Sequence, residues 1–295
     1  MNNCSSKKIR CTVVGRGAVG AVYCAALSKC GGVELSVAAP LDKVQKYASQ
    51  CFTFNGEPIG ELRYTCPTKG DTPSDFILLT TKWSGYRDAL EMIRPLVGEN
   101  TIILPLLNGL LPYELAVECY GAERVRRGYY VGCTATRSGS DVTMGGFYET
   151  VIEGCSMVVG LFDMAGVSYR VAEDMERSRW LKFIINLGYN HTTALNGGVS
   201  YGELKRSGEL LELCRGLMSE GAAVAQLSGV SNAEGLVEEA MSLLPKLLDS
   251  DYGSMAQDIR SGRVTEREIL GDDLLRRAQR LAVELPLFTK VLSKD

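Results

Sequence analysis

The sequence predicts an α/β protein in which an N-terminal doubly wound parallel sheet is followed by an all-helical C-terminal domain. A β-branched run at residues 9–14 leads through a glycine-rich loop into a segment with helical periodicity. Short apolar runs of the kind found in buried parallel strands then alternate with helical segments as far as Gly166. From residue 167 the pattern is helical, so we expect two domains, residues 1–166 and 167–295.

Composition and charge limit the classes of partner. A chain of 295 residues is long enough for two hydrophobic cores. The formal net charge of −3 provides no basic surface for nucleic acid or an anionic membrane. No apolar run reaches the roughly 20 residues that span a bilayer. We therefore expect a small-molecule partner, while the sequence leaves a homodimer open.

Cysteine and histidine usage indicates a cytoplasmic protein without a metal centre. The ten cysteines include no C-x-x-C pair and are too sparse for a disulfide scaffold. The basic N-terminal stretch is not followed by the apolar segment of an export signal. His191 is the one histidine of the chain, so a metal site and histidine-pair catalysis are both poorly supported. Acid–base chemistry would fall to lysine and carboxylates.

The loop GRGAVG is the predicted dinucleotide site and marks the first domain as Rossmann-type. It follows a strand and opens a helix, the context in which G-x-G-x-x-G binds a pyrophosphate. The expected cofactor contacts are Gly15, Arg16, Gly17, Ala18, Val19 and Gly20. Gly15 allows the tight turn, Gly17 lets the backbone approach the phosphates, and Gly20 allows close packing of helix and strand.

The end of the second strand bears on the choice between NAD and NADP. NAD-binding sites usually place an acid there to hold the ribose 2′-hydroxyl, but the chain reads Ala-Ala-Pro and has no acid until Asp42. Arg16 and Lys43 could instead bind a 2′-phosphate. The alternative is that both are solvated surface cations. The pattern favours NADPH as the cofactor and leaves both interpretations of the cations open.

Two further candidates lie at the carboxyl ends of predicted strands, where open α/β sheets bind ligands. Lys82 follows the run DFILLTT, and Asn108 follows TIILPLL. Both are expected near the nicotinamide or the substrate, although Asn108-Gly109 could be no more than a turn. Residues 52–65 are expected to form a hairpin-like excursion, because they contain an Asn-Gly turn signal.

The helical half contains a polar stripe on an otherwise apolar segment. Lys182, Asn186 and Asn190 recur every four residues and therefore share one helix face within residues 167–195, which could form one long helix. A buried lysine needs a partner, a cavity or a lowered pKa, and a lowered pKa suits a general acid. The alternative is that the long side chain of Lys182 reaches water.

Helix starts in the last third of the chain supply two more polar candidates. Ser254 with Gln257, and Thr265 with Glu268, fit capping boxes. On spacing alone, capping explains Ser254, and the helix dipole explains Glu266 at the first helical position. Further helices are expected over residues 201–227 and 233–248, the second kinked at Pro245.

Several of these segments together resemble the ketopantoate reductase family. They are GRGAVG, LPLLNG, RWLKFIINLGYNHTTAL, SMAQDIRSGRVTE and LLRRA, in that family's order and spacing. The resemblance implies NADPH-dependent reduction of 2-dehydropantoate (ketopantoate) to pantoate in pantothenate biosynthesis, in a cleft between a Rossmann domain and a helical domain.

The resemblance also implies roles for individual residues. Lys182 would be the general acid and Glu266 would hold the substrate hydroxyl groups. Asn186 and Asn190 would position the substrate, and Ser254 would contact its carboxylate. Asn108 would lie near the nicotinamide and the reacting carbon. Asp258 would support the structure.

Two departures from the family pattern leave alternatives open. Gly271-Asp272 stands where the family usually has Asn-Gly, and the basic residue common after the second strand is missing. The chain could therefore reduce another 2-oxo acid on the same scaffold. A non-enzymatic NADP-responsive protein is a third reading, although such a protein need not keep the proton donor.

Overall fold

The computed structural model describes residues 7–293, apart from the side chains of Cys133 and Thr134. These residues form two compact units. The first comprises the chain up to Leu107 together with Pro112–Glu173, and the second comprises Asn108–Leu111 and the chain from Asp174 onward. Each unit is built around its own buried core.

All described strands lie in the first unit. They are β1 (Ile9–Val14), β2 (Val33–Ala38), β3 (Thr53–Phe54), β4 (Glu57–Pro58), β5 (Arg63–Thr65), β6 (Phe76–Leu79), β7 (Ile102–Pro105), β8 (Gly128–Ser138), β9 (Asp141–Ile152) and β10 (Tyr169–Val171).

The described helices occur in both units. They are α1 (Ala18–Leu27), α2 (Leu41–Ala48), α3 (Tyr86–Met92), α4 (Leu111–Tyr120), α5 (Ser156–Ala165), α6 (Met175–Ile185), α7 (His191–Leu195), α8 (Tyr201–Arg206), α9 (Gly208–Leu227), α10 (Leu236–Leu243), α11 (Ser254–Arg260), α12 (Gly271–Arg280) and α13 (Pro286–Leu292).

A five-stranded parallel sheet forms the centre of the first unit, in the order β5-β2-β1-β6-β7. Val13 of β1 pairs with Val37 on one side and Leu78 on the other. The strand order reverses at β1, and ligands of open α/β sheets bind at such a reversal. The expected Rossmann-type sheet is thus confirmed, with the glycine loop at the carboxyl end of its central strand.

A second sheet in the same unit has the order β10-β9-β3-β4, and β8 pairs with β9. The hairpin expected from the Asn-Gly signal is present, since β3 and β4 pair across a two-residue turn. Asn55 and Gly56 have φ angles of 52° and 81°, as a type I′ turn requires.

The expectation of continuous helix from residue 167 was wrong. Residues Tyr169–Val171 form β10, which pairs in parallel with β9. Helix α6 begins only after Asp174, whose side chain accepts a hydrogen bond from the Arg177 amide. A three-residue strand depends on the free edge of β9, and helical periodicity does not reveal such an edge. The boundary between the compact units accordingly follows Glu173, downstream of the division expected after Gly166.

Every regular element described from residue 174 onward is helical, as expected. Two helices are shorter than their sequence patterns indicated. The expected helix over residues 201–227 is broken at Ser207, whose hydroxyl caps α9 by accepting from the Leu210 amide. Pro245 lies in a 3-10 turn, Leu244–Lys246, that follows α10 and closes it.

The core of the helical unit surrounds α6 and α7. Trp180, Phe183, Ile184 and Leu187 are fully buried there. Gly188 of this segment lies against Met218 of α9 and allows the close approach of the two helices. Among residues 7–293, no helix has the length and apolarity needed to cross a membrane.

Candidate functional site

The glycine loop has the geometry that its three glycines predicted. Gly15 has a φ of +111°, and a Cβ atom there would lie 2.8 Å from the Thr80 backbone. A Cβ atom on Gly20 would lie 2.0 Å from the Gly15 carbonyl oxygen, whereas one on Gly17 would meet open space. Ala18 and Val19 form the start of α1, where no side chain caps the amides. The loop therefore leaves backbone N–H groups available for an anion.

Arg16 is buried rather than solvated. It is 4% exposed, and its guanidinium donates hydrogen bonds to the Gln50 side chain and carbonyl at 2.9 and 3.3 Å. The guanidinium carbon lies 4.4–5.5 Å from the ring centres of Tyr47, Phe52 and Tyr64. No carboxylate in the described part of the chain pairs with it. The reading of Arg16 as a surface cation was therefore wrong.

The other two expected basic contacts are exposed side chains. Lys43 is exposed in the first turn of α2, as a solvated surface cation would be. Lys82 follows β6 and immediately precedes a 3-10 turn, Trp83–Gly85. It lies beyond the carboxyl end of its strand, as its position in the sequence predicted.

The polar stripe of Lys182, Asn186 and Asn190 lies on a helix that changes from α-helical to π-helical hydrogen bonding. Residues Asn186–Asn190 form a π-helical segment between α6 and α7. Both asparagines are 5% exposed, and Lys182 is half-buried one turn before them. The Asn186 amide donates to the Lys182 carbonyl, so the segment continues α6 without a break. A π-helical turn inside an α-helix is frequent at functional sites.

Five of the expected site side chains make hydrogen bonds to one another in the helical unit. The Asn186 side-chain amide donates to the side-chain oxygen of Asn108 at 3.4 Å, and the Asn108 side-chain amide donates to the Glu266 carboxylate at 2.9 Å. The Asn190 amide donates to the Ser254 hydroxyl at 3.2 Å. Residues far apart in sequence thus form two hydrogen-bonded groups, which meet on the helical segment that carries Asn186 and Asn190. Together they are called the polar cluster, defined as Asn108, Asn186, Asn190, Ser254 and Glu266.

Ser254 and Glu266 do not have the capping roles that their spacing suggested. Ser254 is the first residue of α11, Gly253 occupies the cap position, and Gln257 donates to the Tyr252 carbonyl. Both capping boxes were therefore wrong, since no side chain caps α11 or the 3-10 turn after Glu266. Glu266 precedes that turn instead of opening a helix. The Ser254 hydroxyl and the Glu266 carboxylate instead accept hydrogen bonds from Asn190 and Asn108.

Asp258 was expected to have a structural role. It is 5% exposed and accepts a hydrogen bond from Arg263 Nε at 2.8 Å, five residues later. The Arg263 amide also donates to the Asp258 carbonyl. These bonds hold the chain as it leaves α11 and approaches Glu266.

Sequence reasoning missed Arg179, which anchors the loop that carries Asn108. Its side chain is 6% exposed and donates to the Leu110 carbonyl at 2.9 Å. Gly109 has a φ of +84°, and a Cβ atom there would lie 2.6 Å from the Ile269 carbonyl oxygen. Asn108-Gly109 is therefore both a turn and part of the cluster. The signal for Arg179 was its place three residues before Lys182, next to the buried Trp180.

A nicotinamide dinucleotide is the cofactor that the described residues can hold. The glycine loop provides a phosphate-binding turn at a helix start. Among the residues described, no group of three or more histidine, cysteine, aspartate or glutamate side chains could hold a metal ion. The cluster combines amide, hydroxyl and carboxylate hydrogen bonds, and Lys182 lies one helical turn before Asn186.

Two family models match the chain over most of its length. The model for ketopantoate reductase PanE/ApbA matches residues 11–155, and the model for its C-terminal domain matches residues 174–294. The chain belongs to the ketopantoate reductase family. Members of this family are oxidoreductases that act on CH–OH groups, so the chain is an enzyme of that class.

Curated members of the ketopantoate reductase family are distant relatives. The 2-dehydropantoate 2-reductase of Halobacterium salinarum is 27% identical, with 78% of this chain and 80% of the relative covered. The enzyme of the same name from Aquifex aeolicus is 24% identical, with 93% and 92% covered.

Solved structures confirm the fold of the family. A 2-dehydropantoate 2-reductase from Geobacter metallireducens has a TM-score of 0.84 at 25% identity, covering 97% of this chain and 98% of its own. D-mandelate dehydrogenase, solved with NADH and anilino(oxo)acetate, also has a TM-score of 0.84, at 21% identity and 96% coverage of both chains. The family match, together with the glycine loop, indicates a nicotinamide dinucleotide cofactor.

Proposed function

We propose that the chain catalyses the NADPH-dependent reduction of 2-dehydropantoate to pantoate, in pantothenate biosynthesis. The observation that carries the proposal is the polar cluster beside Lys182. It combines amide donors, a hydroxyl and a carboxylate, the groups needed to hold a hydroxylated 2-oxo acid.

In this proposal Lys182 is the general acid. Reduction of a ketone places negative charge on its oxygen, and a half-buried ammonium group stabilises that charge and supplies the proton. NADPH, held by the glycine loop, would supply the hydride. Glu266 accepts a hydrogen bond from the substrate hydroxyl group, while Ser254 donates to the substrate carboxylate. Asn108, Asn186 and Asn190 fix the orientation of the substrate.

A substrate panel tests the proposed reaction. Loss of NADPH absorbance is followed with ketopantoate, pyruvate and 2-oxoisovalerate, and we expect ketopantoate to have the highest kcat/KM. Faster turnover of another acid would assign the same residues to a different 2-oxo acid. An absence of turnover with every acid, alongside confirmed NADPH binding, would contradict the enzymatic proposal.

We assign the preference for NADPH to Arg16. A buried guanidinium without a carboxylate partner favours an anionic ligand, such as the 2′-phosphate that NADH lacks. A charge-assisted hydrogen bond contributes about 1.5–3 kcal/mol, which corresponds to roughly a 10- to 150-fold change in affinity.

The cofactor assignment predicts unequal effects of Arg16→Ala on the two cofactors. The KM for NADPH should rise at least tenfold, while the KM for NADH stays nearly constant and confirms that the site is folded. Lys43→Ala is the matched control, because that exposed cation lies near the same strand end. Equal effects of Arg16→Ala on both cofactors would remove Arg16 from 2′-phosphate recognition.

The proposal places the enzyme in the cytoplasm as a homodimer. All cysteines whose side chains the structure describes are free thiols, which accords with a reducing compartment. A ketopantoate reductase from Staphylococcus aureus with a TM-score of 0.80 to this chain is described as dimeric.

A further inference from the structure

Arg179 is a buried arginine on the helix that carries the proposed general acid. It lies in α6, three residues before Lys182, and is 6% exposed. An arginine is almost never this deeply buried unless its charge is paired or hydrogen-bonded. The groups that accept its hydrogen bonds therefore indicate what the side chain does in the fold.

The guanidinium group of Arg179 joins α6 to the loop Asn108–Leu111. One of its nitrogens donates to the Leu110 carbonyl oxygen at 2.9 Å, and another donates to the Glu176 carboxylate at 3.3 Å. Glu176 also accepts a hydrogen bond from the indole N–H of Trp180 at 3.2 Å. A carboxylate one turn earlier on the same helix thus orients the guanidinium, which makes a charge-assisted bond to the backbone of the loop.

The turn inside this loop transmits the position of the Leu110 carbonyl to Asn108. Gly109 lies between the two residues, and its φ of +84° is a conformation that glycine adopts without steric cost. A Cβ atom on Gly109 would lie 2.6 Å from the Ile269 carbonyl oxygen, so the turn packs directly against that backbone. A shift of the anchored carbonyl would therefore move Asn108 as well.

The hydrogen bonds of Asn108 leave little room for such a shift. Its side chain donates to Glu266 at 2.9 Å and accepts from Asn186 at 3.4 Å. The longer of these is close to the distance at which a hydrogen bond is lost. Misplacing a group in an active site by about 1 Å can cost up to roughly 10²-fold in rate.

We propose that Arg179 is a positioning residue that fixes Asn108 for the reduction by holding the Leu110 carbonyl. The inference rests on the proposed function of the chain, in which Asn108 orients the substrate. It adds a residue that acts through Asn108 rather than on the substrate itself.

A double-mutant cycle tests whether Arg179 acts through Asn108. Arg179→Met removes the donor and keeps much of the buried volume, and it should lower kcat/KM about 10- to 100-fold with the 2-oxo acid that the wild-type chain reduces fastest. In an Asn108→Ala background the same substitution should cost less than about threefold, because the side chain to be positioned is missing. Equal losses in the two backgrounds would overturn the proposal.

Arg177→Met is the matched control, because Arg177 lies on the same helix but pairs with Glu239 at 2.8 Å. It should change kcat/KM by less than about twofold, and a loss equal to that of Arg179→Met would contradict a specific role for Arg179. If Arg179→Met does not fold, Arg179→Lys carries the same cycle, since it keeps the charge but lacks the planar fork that donates to two acceptors.

Hydrogen exchange of the peptide that contains Asn108–Leu111 tests the anchoring without any substrate. Exchange there should be at least about fivefold faster in Arg179→Met than in the wild type, and unchanged in Arg177→Met. If the chain reduced no 2-oxo acid, the proposed function would fail, while this measurement would still decide whether Arg179 holds the loop. Wild-type exchange in Arg179→Met would rule out the positioning role even in an active enzyme.

Discussion

At the scale of single residues, the hydrogen-bonding needs of the buried asparagines explain which side chains the polar cluster contains. Each side-chain amide needs partners in a core, and those of Asn186 and Asn190 find them in Asn108 and Ser254. The four-residue spacing predicted that the asparagines share a face. It could not predict their partners, because Asn108 is 78 positions from Asn186.

The neutral state of His191 predicts that acid destabilises the protein. Burial lowers its pKa to about 4 in the folded chain, against 6.5 for an unperturbed histidine, so the unfolded chain binds more protons between these values. Its contribution is fully present above pH 6.5 and is lost as the pH falls toward 4. The loss amounts to roughly 3 kcal/mol. Urea unfolding at pH 7, 6 and 5 measures the first part of this loss, roughly 2 kcal/mol between pH 7 and pH 5.

His191→Gln is the control for this pH dependence, because glutamine does not titrate. The variant should show a much flatter change in unfolding free energy between pH 7 and pH 5. Carboxylates titrate mostly below that range, so they obscure the difference little. Parallel pH profiles for the two proteins would contradict a neutral buried His191.

At the scale of elements, the π-helical segment shows what periodicity can and cannot predict. The segment was expected to be helical, and the structure agrees. The four-residue spacing gave no sign of the π winding or of the close packing against α9, where a Cβ atom on Gly188 would lie 2.5 Å from Met218 and 3.1 Å from Cys214. The two predicted capping boxes were wrong because hydroxyl and carboxylate side chains occur in polar clusters as well as at helix starts. Spacing in the sequence does not distinguish the two.

Replacing Gly188 should disturb both stability and the cluster. Gly188→Ala overpacks the contact with α9 and should destabilise the protein by about 1–3 kcal/mol. It should also lower kcat/KM, because Asn186 and Asn190 belong to the same segment. Urea unfolding and steady-state kinetics measure the two effects.

Gly160→Ala provides the matched control. Gly160 also lies within a helix, but a Cβ atom there meets nothing within 4 Å. That substitution should stabilise the protein by about 0.5–1 kcal/mol, because glycine weakens a helix interior. If Gly188→Ala were as stable and active as Gly160→Ala, the close contact would not determine the geometry of the segment.

At the scale of the whole molecule, the N-terminal sheet was the most predictable part. Buried parallel strands and the glycine loop are local patterns, and their order along the chain determines the topology. The second sheet was less predictable, because β10 exists only through pairing with β9. Arg16 illustrates the same limit, since its three aromatic neighbours come together only when α2, β5 and the chain between them fold.

The most direct test of the central claim is the kcat of Lys182→Ala with the 2-oxo acid that the wild-type chain reduces fastest. The claim is that Lys182, one helical turn before the polar cluster, donates the proton, and general acids contribute roughly 10²–10⁴-fold. We predict a loss of kcat in that range, with the affinity for NADPH unchanged because the glycine loop is intact. Wild-type kcat in the variant would contradict the claim.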